Sequence, residues 1–153
     1  MRNVVKLFLI FIVLGIGIHQ ADGQIYKNAI GLSIDAGDGS TAVGPSYKHF
    51  FDARNAGQIE LLFADNLTII QPSYSFNKGI PGAAGLNWLV GIGPAIGLSS
   101  GSSNVAIRPK VGLEYKINSV PLGFSFGWEP AFWLAHDADN NVARFGIGFN
   151  YTF

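Results

Sequence analysis

From Gln24 to Phe153 the hydrophobic residues recur at every second position, the period of strands whose side chains alternate between two surroundings. The end of the chain shows it best. Phe145, Ile147, Phe149, Tyr151 and Phe153 share one face, against Arg144, Gly146, Gly148, Asn150 and Thr152 on the other. The same alternation runs from Leu122 through Phe124, Phe126, Trp128, Pro130 and Phe132 to Leu134, from Val105 to Ile117, and from Leu86 to Leu98. Shorter apolar rows precede these: Ile30-Leu32-Ile34, Val43-Pro45-Tyr47, Ile59-Leu61-Phe63 and Ile70-Pro72-Tyr74-Phe76. Eight strands separated by turn-rich segments result, which predicts an all-β protein and a single domain over residues 24–153.

The distribution of charge decides which all-β architecture fits. Asp35, Lys48, Glu60, Arg108, Lys110, Glu114, Lys116, Glu129 and Arg144 all fall on the faces that also carry the Gly and Ser residues, and the remaining charges fall in connections. In a soluble sandwich those faces would meet water, where so many glycines have no use; a soluble lipocalin-like barrel would place its apolar residues inside and its charges outside. A membrane barrel has the opposite polarity: large apolar side chains face lipid, and small and charged ones enclose a narrow lumen. The pattern therefore predicts an eight-stranded antiparallel transmembrane β-barrel of up-and-down meander.

Residues 1–23 read as a cleaved signal peptide, with Arg2 and Lys6 before the apolar stretch Leu7 to Ile18 and the small-x-small site Ala21-Asp22-Gly23. Beyond it no apolar run approaches the roughly 18 residues of a spanning helix. There is no Cys, which excludes a lipidated Cys, disulfides and thiolate metal sites. Without residues 1–23 the chain keeps eight of its ten basic and nine of its ten acidic residues, a net charge of −1 that gives no reason to expect nucleic acid as a partner.

Two expectations concern the strands themselves. Pro45, Pro72, Pro94, Pro109 and Pro130 lie inside proposed strands, and each forfeits a ladder hydrogen bond of about 0.5 to 1.5 kcal/mol unless a bulge or strand end absorbs it. With both termini in the periplasm, the exterior loops carry Asp38, Asp65, Asp137 and Asp139 and no Lys or Arg, whereas the periplasmic turns carry Arg54 and Lys78. The exterior loops are too short for a receptor crown.

The segments GPSYKHFF (44–51), GLNWLVGIGPAIGL (85–98) and GLEYKINSVPLGFSFGWEPAFWL (112–134) resemble small outer-membrane β-barrel proteins of Bacteroidetes-type bacteria, a porin-like group. The resemblance implies an outer-membrane barrel of unassigned biochemical role in a Gram-negative cell envelope, and it brings no catalytic residues. Phe149, Tyr151 and the terminal Phe153 resemble the signal read by the outer-membrane assembly machinery. The partners expected are that machinery during biogenesis, and outer-membrane lipid and lipopolysaccharide.

The candidate chemistry sits inside. Arg108, Lys110, Glu114, Glu129 and Arg144 come from three consecutive strands and are expected to meet in the lumen as an ion-pair network, with Arg108 and Glu129 as one pair. An eight-stranded lumen is just wide enough to be packed with side chains, so a filled interior is expected before a narrow solute channel. Trp133 is inward by parity and should fill part of it. Trp88, Trp128 and Tyr115 are outward and suit the membrane interfaces. A lipid-interface enzyme acting on lipid A is the third reading, but His49 has no Ser two residues on, and His136 opens an Asp-rich turn whose oxygen groups suit a solvated turn better than a metal. No catalytic residue, cofactor or metal is called for.

Overall fold

A computed structural model describes residues 26–153, so the signal-peptide assignment lies outside the described residues. The strands are β1 (Asn28–Gly37), β2 (Ser40–Phe50), β3 (Asn55–Ala64), β4 (Leu67–Gly79), β5 (Leu86–Ser99), β6 (Ser102–Lys116), β7 (Leu122–Trp128), β8 (Phe132–Trp133) and β9 (Arg144–Thr152). From β1 to β7 each strand pairs antiparallel with the next, β9 pairs with β7, and β9 returns to β1 from Ala29↔Thr152 to Gly37↔Arg144, which closes the sheet. The Asn28 and Phe153 backbones complete the seam by exchanging two hydrogen bonds of 2.8 Å. The nine segments form eight staves, because β7 and β8 both pair with β6 and together make the seventh.

The connections opposite the termini are as tight as the sequence suggests. Asp38-Gly39 turns β1 into β2 with both residues at positive φ, 48° and 76°, as a two-residue hairpin of this hand demands. Asp65-Asn66 and Ser100-Gly101 are the two-residue connections of the next two hairpins at that end, with Gly101 at φ 79°, and residues 134–143 form the one longer connection there. At the other end, Asp52 ties the turn into β3: its carboxylate accepts from Arg54 N at 2.8 Å, Asn55 N at 2.9 Å and Asn55 Nδ2 at 2.7 Å. The Asn55 side-chain amide, with these backbone donors, holds that carboxyl below the usual carboxylate range.

The alternation predicted from sequence is the inside–outside alternation of the barrel. Ile59, Phe63, Ile92, Val111, Phe126 and Phe149 are exposed outside, while Ser33, Asp35, Lys48, Glu60, Arg108, Lys110 and Glu114 are buried inside. Two expectations need correction. The seventh stave is not continuous: it breaks at Glu129-Pro130-Ala131, and Pro130 is fully buried instead of outward. Lys78, expected in a turn, belongs to β4 and stands on the outer face beside Trp88, its partner on β5.

The prolines are accommodated by pairing. The registers of Ile70↔Ile96 and Tyr74↔Ile92 place Pro72 opposite Pro94, and those of Ile107↔Phe132 and Val111↔Trp128 place Pro109 opposite Pro130. Two residues lacking N–H thus share one gap in the ladder, so the missing donors coincide instead of interrupting four separate sites. The gaps are also places of close approach. A Cβ at Gly93 would collide with the Pro72 carbonyl, and one at Gly44, just before Pro45, with the Leu61 carbonyl, so only glycine fits there.

Candidate functional site: the barrel interior

The interior divides into an apolar layer and a polar layer. Next to the short hairpins, inward Ala42, Leu62, Ile69, Ala95, Ala106 and Ala131 pack together, with Leu67 and Trp133 against them. Trp133 is inward, as parity predicts; its ring lies over Gly97, where a side chain would crowd it, and its Nε1 donates to Asn141 Oδ1 at 2.9 Å. Small residues at the facing positions leave the volume that this one indole fills.

The remaining inward positions carry eight charges, four of each sign: Lys48, Arg108, Lys110 and Arg144 with Asp35, Glu60, Glu114 and Glu129. All five residues expected in the network lie in the lumen, but the structure rearranges their partners. Arg108 does not pair with the Glu129 carboxylate. Its Nη1 donates to Asp35 Oδ2 at 2.7 Å and to Gln71 Oε1 at 2.6 Å, and its Nη2 reaches the backbone carbonyl of Glu129, an acceptor freed at the proline gap. Arg144 converges on the same Asp35, with Nε 3.1 Å from Oδ1, and caps the Gly37 carbonyl at 3.0 Å. Lys110 lies between Glu129 at 3.3 Å and Glu60 at 3.9 Å. Glu114 pairs with Lys48 of β2 at 2.6 Å.

Asp35, Lys48, Glu60 and Gln71 were legible as polar inward residues but not as partners. They sit on β1 to β4, far in sequence from β6, and only closure of the sheet carries them across the lumen to it. Tyr26 left no signal at all. Its hydroxyl donates to Glu114 Oε1 at 2.6 Å, and its ring meets Phe50 edge-on at 5.1 Å, so Tyr26 covers part of the end of the lumen nearest Asn28 and Phe153. Burial and the Glu114 carboxylate push its phenol pKa up.

Little space is left among the charges, whereas a larger open cleft of about 200 Å³ lies at the hairpin end beside Leu67, Gly97, Trp133 and Asp139. A cavity of about 20 Å³ lies among Ser33, Lys48, Glu60, Lys110 and Glu114, room for about one water. Buried polar atoms are almost all matched; Ser46 Oγ, Ser73 Oγ and Arg108 Nε have no protein partner. His49 is engaged with Asn28, Nδ1 to Oδ1 at 2.8 Å, and His136, Asp137 and Asp139 are exposed on the 134–143 loop. Among the described residues no group of three His, Asp or Glu converges as metal ligands would.

The fold and its interior define a closed eight-stranded antiparallel barrel, apolar outside and charged but neutral within. No family model matches the sequence, and no curated protein does. Among solved structures, the chain is similar to the N-terminal β-barrel domain of Pseudomonas aeruginosa OprF, with a TM-score of 0.60 and 17% identity over 83% of this chain and 100% of that one. At that identity the likeness is one of fold.

Proposed function

We propose that this chain is a non-enzymatic, integral outer-membrane β-barrel whose lumen does not conduct and whose role is structural support of the envelope. The observation that carries the proposal is the polarity of the barrel. An outer surface of Ile, Val, Leu and aromatic side chains surrounds four buried cations, three buried anions and the half-buried Glu129. Such a surface exposed to water would drive association, whereas hydrocarbon accepts it. Closure matters equally, because it leaves no unpaired sheet edge in lipid. In this reading residues 1–23 direct export, both termini face the periplasm, and lipopolysaccharide surrounds the opposite end.

The apolar layer around Leu62 and Trp133 at one end, and Tyr26 with Phe50 at the other, support a plugged lumen over a passive solute channel. The lipid A enzyme reading has less support, since no Ser lies two residues after His49. Two measurements test the proposal. The folded protein should migrate faster on gels unheated than boiled and should fractionate with outer membranes. In planar bilayers it should give no stable conductance steps; reproducible steps would turn the assignment to a channel, and solubility of the folded form without detergent would overturn both.

The C-terminal residues carry a separate expectation. Phe153 is half exposed beside Tyr151, and its backbone closes the barrel onto Asn28. Phe153→Ala is expected to lower the amount of assembled protein in cells more than Phe124→Ala, which removes another outward ring from the neighbouring stave. Equal losses would mean that Phe153 acts only as a lipid-facing aromatic.

A further inference from the structure

Sorted by height along the barrel, the charges of residues 26–153 are strongly polarised. The interior is neutral. The end of the short hairpins and the 134–143 loop carries Asp38, Asp65, Asp137 and Asp139 with no Lys or Arg, while the end of the termini carries Lys27, Arg54, Lys78 and Lys116 against Asp52 alone. Asp52 is moreover saturated by the donors of its own turn. The cations are not all in flexible tips. Lys78 stands on the outer face within β4, directly across from Trp88, and Lys116 is held on the rim by the Ile117 and Val120 carbonyls at 2.7 and 2.8 Å.

The aromatics with polar tips follow the same polarity. Tyr47, Tyr74, Tyr115 and Tyr151 all lie on the outer face toward the terminal end, together with Trp88. The hydroxyls of Tyr47 and Tyr74 lean further that way, donating to Asn28 at 2.9 Å and Asn55 at 2.7 Å, the first residues of β1 and β3. Toward the hairpin end the outer face carries apolar Phe63, Leu98, Val105, Phe132 and Phe145, and Trp128 is its polar-tipped aromatic.

From this coincidence we infer that the terminal rim is a binding surface for anionic phospholipid headgroups. Tyrosine and tryptophan mark the depth at which hydrocarbon gives way to headgroups, and Lys78, the cross-strand partner of Trp88 on the outer face, stands at that depth with a side chain long enough to carry its ammonium to the headgroups. Arg54 and Lys116 add charge on the same circumference, where a phosphodiester and an anionic headgroup would sit. The inference rests on the outer-membrane reading and adds to it a lipid class and an orientation.

The test uses the full mature chain in nanodiscs of phosphatidylcholine with a minority of phosphatidylglycerol, followed by gentle detergent extraction and native mass spectrometry of retained lipid. Phosphatidylglycerol should be enriched over phosphatidylcholine, and R54Q combined with K78Q should reduce that enrichment about threefold or more. D38N combined with D65N, at the other end, should leave it no lower. High salt should erode it, as expected for exposed charge. Equal retention of the two lipids by a folded, heat-modifiable barrel, or enrichment that R54Q with K78Q leaves intact, overturns the inference alone. Failure of the chain to enter nanodiscs at all overturns the membrane assignment beneath it.

Discussion

Asp35→Ala is expected to destabilise the barrel by about 3 to 5 kcal/mol, measured by urea unfolding from lipid vesicles, because it strands two buried guanidinium groups at once. Arg108 and Arg144 both end on this carboxylate, and both are buried. Charge removed from water is tolerable only while its partner is present, so the loss comes mainly from the orphaned cations. Replacing Asp35, Arg108 and Arg144 together with apolar residues of similar volume should cost less than Asp35→Ala alone. A double-mutant cycle should likewise find strong coupling between Asp35 and Arg108 and weak coupling between Arg108 and the Glu129 side chain, since Arg108 meets only the backbone there. A loss below about 1 kcal/mol for Asp35→Ala would mean that water reaches the pair and the interior is looser than described.

Leu61 and Leu62 should respond to substitution in opposite ways although they are adjacent. Leu62 points inward and is 1% exposed within the apolar layer, so Leu62→Ala is expected to cost about 2 to 5 kcal/mol through lost contacts and the cavity left behind. Leu61 points outward and is 37% exposed. Leu61→Ala should change little, because a shorter side chain exchanges protein contact for acyl chain, whereas Leu61→Arg should cost about 2 to 4 kcal/mol in a bilayer if the residue lies near its midplane. Unfolding in vesicles measures all three. A well-tolerated Leu61→Arg would place that face in water and remove the main support for a membrane barrel.

These contrasts show which parts of the site were legible. That Leu61 and Leu62 face opposite ways follows from a period of two, and so does the inward placement of Arg108, Lys110, Glu114 and Arg144. Periodicity states a face and says nothing about the partner across the lumen. The pairs Arg108–Asp35 and Lys48–Glu114 join residues 73 and 66 positions apart, and their distance depends on how the strands stagger around the closed sheet. The Arg108–Glu129 expectation failed for a local reason as well. The registers of β7 and β8 on β6 place Glu129 directly opposite Lys110, which takes its carboxylate, and leave Arg108 the backbone carbonyl beside Pro130.

The prolines were readable as a difficulty and not as a solution. Each alone costs a ladder bond, and only the registers of β4 with β5 and of β6 with β7 and β8 reveal that four of them cancel in pairs. Tyr26 stood outside every periodic row, since it belongs to no strand and is held by Glu114 and Phe50.

By itself, then, the order of residues along the chain determined the strands, their turns and the side of the sheet each side chain occupies, because these depend on neighbours one or two positions away and on the chirality of the backbone. The stagger of the strands and the choice of ionic partners were decided only in three dimensions. The physical reason is that a buried charge selects its counterion by distance across the lumen, and that distance exists only once β9 has met β1.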